Sequence, residues 1–191
     1  MRIIAGELRG RMLKSTTSSM LRPTTDRVRE SIFNILANRI SFEGARVLDL
    51  FAGTGALGIE ALSRGAVRCD FVESDRRVAA IIVDNVKTLG LTARASVHVR
   101  DVMKYVAGLE GSFDLILADP PYAATIFDRL VHDIFSSGCL APGGILVVEH
   151  GPATEIAPPP GADLLVQRGF GDTSITLLGH APADPSHSLS P

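Results

Sequence analysis

The chain has 191 residues, 46% of them hydrophobic and 21% charged, with a formal net charge of −2. That length suits one domain burying roughly 70% of its unfolded surface, which folds without disulfides or a structural metal. Two cysteines, Cys69 and Cys139, cannot form a disulfide framework or a four-ligand zinc site, and each reads as a buried core thiol in or beside an apolar run. No stretch of ~18 apolar residues is present and the N-terminus lacks the apolar core of a secretory signal, so a cytoplasmic protein with no membrane span is expected.

Residues 2–14 read as a short hairpin, with Arg2-Ile3-Ile4-Ala5 and Arg11-Met12-Leu13 flanking a Gly6 to Gly10 turn. Residues 15–23 are Ser/Thr-rich, end in Arg22-Pro23 and form a loop. A helix follows, capped by Thr24 or Thr25, with Asp26 in the first turn where the helix dipole favours an acid. Val28, Ile32, Ile35, Leu36 and Ile40 recur at helical spacing. The charge is uneven: residues 1–40 carry eight Lys/Arg against three acids, and residues 41–191 carry 11 against 18. A basic arm on an acidic body suits a polyanionic partner, although an ordinary solvated segment explains the charge alone equally well.

From Ala45 onward strands and helices alternate. Strands are expected at 46–51, 69–73, 96–99, 113–118 and 144–149, and helices at 59–63, 78–89 and 125–136. Segments 164–166 and 175–178 close the chain as a hairpin. This spacing makes βαβ units and a mostly parallel sheet covered on both faces, with one of the last strands antiparallel. The organisation expected is a basic N-terminal extension over 1–23, an α/β domain over 24–179 and a disordered tail over 180–191.

The first strand runs into Asp49-Leu50-Phe51-Ala52-Gly53-Thr54-Gly55-Ala56-Leu57-Gly58, which spells GxGxxG between a strand and a helix. The glycines let backbone approach a ligand, and Glu73 ends the next strand where a ribose could be held. This fingerprint alone does not choose between a nicotinamide and another adenosine-containing cofactor. Asp49 is poorly placed under a pyrophosphate, because like charges would meet, and well placed under a cationic ammonium or sulfonium. Asp101 follows the third strand within reach of an adenine edge. Asp49, Glu73 and Asp101 together make an acidic crevice at the carboxyl ends of three adjacent strands. S-adenosylmethionine fits it: a cationic ligand with a ribose, an adenine and no phosphate.

The fourth strand ends in Asp119-Pro120-Pro121-Tyr122. Two prolines fix an extended turn and remove two N–H donors, leaving a ledge of acceptors beside an aromatic ring. An exocyclic amine of a nucleobase asks for this set. Acceptors on its two hydrogens draw the conjugated nitrogen toward tetrahedral geometry and free its lone pair, while Tyr122 stacks on the base for ~1–3 kcal/mol. That offsets the few kcal/mol of unstacking the target. A rigid loop would explain Pro-Pro-Tyr alone; the acidic crevice beside it favours the functional reading.

DLFAGTGALGIEAL with DPPY resembles the class I S-adenosylmethionine-dependent methyltransferases of the amino-methylating kind. MRIIAGELRGRML and LRPTTDRVRESIFNIL narrow the resemblance to the RsmD family, which methylates the N2 amine of a guanine in 16S ribosomal RNA. It runs from residue 1 to about 180, and no motif position departs from it. It implies a Rossmann-like fold with a seven-stranded sheet. Asp49, Phe51, Gly53 and Gly55 would line the methionine and ribose end of S-adenosylmethionine, Glu73 would hold the ribose hydroxyls, and Asp101 with Val102 the adenine. Asp119, Pro120, Pro121 and Tyr122 would grip the amine. Arg2, Arg9, Arg11, Lys14, Arg22 and Thr24 would contact RNA or close over the site, with Arg29 facing it.

The implied partner is 16S ribosomal RNA, naked or within an assembling small subunit, met by a monomer. Transfer is expected to be direct: no cysteine lies near either motif, which argues against the covalent route used on pyrimidine carbons. The five histidines lack ligand spacing, so no metal is expected. The alternatives are an amino-directed methyltransferase acting on adenine N6 in DNA or RNA or on a protein amide, a non-catalytic RNA-binding protein, and a nicotinamide-dependent dehydrogenase. The last requires a hydride-handling His or Tyr/Lys pair that the second half does not place.

Overall fold

A computed structural model of the chain describes residues 1–15, 25–121 and 124–181. Seven strands form one sheet in the order β3-β2-β1-β4-β5-β7-β6. The strands β1 (Arg46–Leu50), β2 (Arg68–Glu73), β3 (Ala95–Val99), β4 (Phe113–Ala118) and β5 (Leu140–His150) pair in parallel. β7 (Thr173–His180) runs antiparallel to both β5 and the edge strand β6 (Ala162–Phe170). This is the mostly parallel sheet the alternation implied. The strand order reverses between β1 and β4, so the crevice above these two carboxyl ends is where such sheets bind ligands.

Two apolar cores cover the faces. On one, α1 (Asp26–Ala37), α2 (Ala56–Ser63) and α3 (Arg76–Thr88) contribute Ile32, Phe33, Ile59, Leu62 and Ile82. On the other, α4 (Val102–Ala107) and α5 (Ala124–Ser137) contribute Val102, Val106, Phe127, Leu130 and Ile134. Thr25 caps α1, its hydroxyl accepting from Val28 N at 3.3 Å. Asp75 caps α3 by accepting from Arg77 and Val78 N. Both are the N-cap chemistry that leaves fewer orphan amides.

Several elements differ from the sequence reading. α2 starts at Ala56 rather than 59, because Gly55 takes the left-handed conformation and launches the helix directly from the glycine loop. α4 was not foreseen; its single buried turn-and-a-half offers too few apolar positions for a period. β5 starts at Leu140, four residues early. Its pairing with β4 shifts between Phe113 and Leu115, so Pro142, Gly143 and Gly144 form an irregularity inside a strand rather than a turn before one. β7 continues through His180, into the expected tail, of which residues 182–191 lie outside the described residues.

The N-terminal hairpin exists, as a bridge of Arg2 with Met12. It is laid along α2 and α3 by its backbone. Ile4 N and Ala5 N donate to the two oxygens of Glu60 at 2.8 and 3.0 Å, and Leu8 N donates to Ser63 Oγ at 3.0 Å. Further along, Asn85 accepts from Lys14 N at 2.8 Å and donates to the Lys14 carbonyl at 3.1 Å. Among the described residues no helix is long and apolar enough to cross a membrane.

Candidate functional site

The glycine loop between β1 and α2 is held in backbone conformations that side chains rarely take. Phe51 has φ of 56°, among the described residues the one non-glycine with positive φ, and Gly53 and Gly55 follow at 54° and 80°. Such strain is kept where the surroundings over-determine it, and it clusters at ligand sites. A Cβ at Gly53 would meet only the Phe51 carbonyl, at 3.9 Å, so this stretch of backbone is open to a ligand. Gly58 serves packing instead: a Cβ there would lie 2.4 Å from the Phe71 ring and 2.6 Å from Cys69 Sγ.

The three acids sit at the carboxyl ends of β1, β2 and β3, as their spacing required, and each also does local work. Asp49 is fully buried; its Oδ2 accepts from Gly58 N at 2.9 Å, in the first turn of α2. Burial, and then the nearby Glu73 carboxylate, outweigh that hydrogen bond and push its pKa up to about 8. Glu73 clasps the loop from below, accepting from Gly53 N at 3.0 Å and from Asp75 N at 2.9 Å. Asp101 caps α4, accepting from Lys104 N at 3.0 Å, while Val102 beside it is buried. One oxygen of Asp49 and one of Asp101 are left without a hydrogen bond from the described residues. A buried carboxylate with a spare oxygen beneath open glycine backbone fits a cationic, ribose-bearing ligand.

Asp119 follows β4 directly, and its N–H donates to the Leu50 carbonyl at 3.4 Å. This places the turn after β4 against the start of the glycine loop at the point where strand order reverses. Pro120 is buried and Pro121 exposed. Tyr122, Arg22 and Thr24 lie outside the described residues.

Of the basic residues assigned to RNA, Arg9 is exposed and pairs with no acid among the described residues. Arg2 pairs with Asp26 at 3.7 Å, Lys14 with Asp84 at 3.1 Å, and Arg11 donates to the Thr88 carbonyl at 3.4 Å. Such exposed pairs are worth at most ~1 kcal/mol and are easily exchanged for phosphates. Arg29 does not present its charge to a ligand: it is fully buried, and its Nη2 donates to the Arg2 carbonyl and to Asp26. Its position on the buried stripe with Val28, Ile32 and Phe33 turns it inward.

The sequence reading missed Glu60 and Asn85. Glu60 is fully buried and also accepts from Arg64 Nε at 2.8 Å. Asn85 ties the hairpin to the glycine loop, since its Nδ2 donates both to the Lys14 carbonyl and to the Thr54 carbonyl at 3.1 Å. A lone acid within the apolar run ALGIEALS was the available signal. Both cysteines are buried with their thiols pushed up by desolvation. Among the described residues no group of three His, Cys, Asp or Glu side chains converges to hold a metal.

Comparison with known proteins matches the family described as Conserved hypothetical protein 95, the RsmD family, over residues 1–179. The chain belongs to this family. It is 42% identical over 182 residues to the Bacillus subtilis protein YlbH, covering 93% of this chain and 97% of the relative. It is 40% identical over 148 residues to ribosomal RNA small subunit methyltransferase D of Escherichia coli, covering 78% and 73%. The solved structure of yhhF from Escherichia coli superposes with a TM-score of 0.85 at 34% identity, covering 94% and 97% of the two chains. The fold of the RsmD family member described here is that of S-adenosylmethionine-dependent methyltransferases.

Proposed function

We propose that this chain transfers a methyl group from S-adenosylmethionine to the exocyclic N2 amine of a guanine in 16S ribosomal RNA. The observation that carries the reading is the joining of two dissimilar pieces at the β1/β4 crevice. One is a glycine loop over a buried carboxylate; the other is the Asp119-Pro120-Pro121 turn, tied to it through the Leu50 carbonyl. The name of two relatives, ribosomal RNA small subunit methyltransferase D, supports the RNA class.

When bound, S-adenosylmethionine supplies an electrophilic methyl carbon on a positively charged sulfur. Asp49, Phe51, Gly53 and Gly55 would hold its methionine and ribose end, Glu73 the ribose hydroxyls, and Asp101 with Val102 the adenine. The Asp119 carboxylate and the Pro120 carbonyl accept the two hydrogens of the amine. That geometry takes the nitrogen lone pair out of conjugation with the ring. Catalysis then comes from positioning and fixed electrostatics, since no covalent intermediate with the chain is required. Tyr122 stacks on the extruded base. The hairpin cations Arg2, Arg9, Arg11 and Lys14, with Arg22 and Thr24, hold the RNA backbone.

A nicotinamide cofactor gains nothing from Asp49, which would stay protonated beneath a pyrophosphate, whereas a cationic donor draws it to its ionised form. The test uses small ribosomal subunits purified from cells deleted for this activity. They are incubated with the protein and S-adenosylmethionine, digested to nucleosides and analysed by mass spectrometry. New N2-methylguanosine is expected; N6-methyladenosine, or no methylated nucleoside, contradicts the reading.

A further inference from the structure

The face of the sheet covered by α1 carries a surface feature that neither the glycine loop nor the hairpin uses. Between α1 and the edge strand β6 lie two contiguous hollows of about 510 and 490 Å³, which share Ser31 and Arg168. On the helix side the lining is Arg27, Ser31, Asn34 and Asn38, spaced four, three and four residues apart, which is a single helical stripe. On the strand side Val166, Arg168 and Phe170 share one face by strand alternation. Val166 and Phe170 pack onto the core, yet Arg168 between them is exposed and lies over the Phe170 ring at 5.4 Å.

Every polar side chain lining this groove can donate a hydrogen bond. Arg27, Arg39 and Arg168 form no ion pair among the described residues, and no carboxylate among them lines either hollow. Three exposed, unmatched guanidinium groups interleaved with Ser and Asn amide or hydroxyl groups are the set that grips phosphate and sugar oxygens.

The groove also opens in the right place. Ser174 pairs with both His150 and Gly169, so the turn after Phe170 lies at the same sheet edge as the carboxyl ends of β1 to β5. β6 is three strand steps from β4, about 14 Å at the usual spacing. The 12 residues of α1 give the groove a length of about 18 Å, enough for several phosphates of one strand.

We infer that the groove between α1 and β6 is an RNA-docking track that leads substrate backbone toward the Asp119 turn. It rests on the reading of RNA as the substrate, but uses a surface separate from the N-terminal hairpin. Arg27, Arg39 and Arg168 hold phosphates, and Ser31, Asn34 and Asn38 bond to sugar or phosphate oxygens.

The test compares wild type with the triple variant Arg27→Gln/Arg39→Gln/Arg168→Gln and with Arg129→Gln on the opposite face. Circular dichroism checks the fold of each. Binding to protein-free 16S RNA and to small subunits is measured across a salt series. The triple variant should lose about 2 units of salt slope, at ~0.7–0.9 per phosphate contact. It should bind at least about tenfold more weakly near 0.1 M salt, with a raised KM for RNA and unchanged affinity for S-adenosylmethionine. Arg168→Lys should restore part of the slope, because a phosphate contact needs only the charge. A triple variant with the slope of Arg129→Gln overturns the proposal while methylation by wild type leaves the functional reading intact. Weakened binding to subunits with unchanged binding to naked RNA also overturns it, assigning the groove to a ribosomal protein. A wild-type protein that neither binds nor methylates RNA overturns both.

Discussion

The amide of Asp119 donates to the carbonyl of Leu50 at 3.4 Å, so the residue just after β4 is tied to the residue that ends β1. The same Leu50 begins the glycine loop, whose next residue, Phe51, carries the strained φ of 56°. A target amine on Asp119 and a donor on the loop would therefore be positioned by one rigid sheet edge. Placement of this kind, with fixed electrostatics, is a main lever available to an enzyme without a covalent intermediate.

On the proposed reading, Asp49 would link cofactor affinity to pH. Its folded pKa of about 8 lies far above the usual carboxylate value, so the folded protein holds a proton that the unfolded chain releases. The sign follows: this residue's contribution to stability is full below about pH 4 and is lost as pH rises toward 8. For the ligand-free protein, Asp49→Asn should therefore melt higher than wild type at pH 8, with the difference shrinking toward pH 4. Wild-type affinity for S-adenosylmethionine should tighten from pH 6 to 8, approaching tenfold per unit, because only the ionised form attracts a sulfonium. Asp49→Asn should bind the cofactor weakly at every pH. Calorimetry and thermal melts across this range check all three; a flat wild-type affinity contradicts the role given to Asp49.

Gly58→Ala sets two effects against each other. Alanine favours a helix by ~1 kcal/mol over glycine. The added Cβ, however, would sit 2.4 Å from Phe71 and 2.6 Å from Cys69 Sγ, and overpacking costs about 1–3 kcal/mol. The clash should win, lowering Tm by several degrees. Combining Gly58→Ala with Phe71→Leu should cost less than the sum of the two single changes, because the shorter side chain makes room. Additive losses in a double-mutant cycle would contradict the packing role.

Glu60→Ala should loosen the hairpin. It strips acceptors from Ile4 N and Ala5 N and removes the partner of Arg64. Leaving such groups unpaired costs roughly 2–4 kcal/mol in total. Tm should fall by about 5–15 °C, at ~2–4 °C per kcal/mol for a chain of this size. Limited proteolysis should cut near residues 1–15 faster than in wild type. Unchanged cleavage there would show that the hairpin is held by its apolar contacts alone.

The sheet, the glycine loop and the turn after β4 were legible because each is written locally: apolar runs bounded by Gly, Pro and Asp. Asp49, Glu73 and Asp101 were legible as a set because a parallel sheet puts consecutive strand ends on one edge. What stayed hidden is non-local. The hairpin is anchored by Glu60, Ser63 and Asn85, residues more than fifty positions away, and no local pattern announces them. Arg29 reads as a surface cation by type, but the buried stripe of α1 takes it inward. The groove beside β6 needs both α1 and a strand some 130 residues later, so its arginines look like scattered surface charge in the sequence.

Asp119→Ala carries the central claim. The change removes the carboxylate proposed to accept a hydrogen of the amine but leaves the backbone N–H to Leu50 and the glycine loop intact. Methyl transfer to small ribosomal subunits is measured at saturating S-adenosylmethionine, with cofactor affinity determined in parallel by calorimetry. The expected result is a rate lower by about two orders of magnitude or more, with cofactor affinity within about twofold of wild type. Transfer at the wild-type rate would contradict the account.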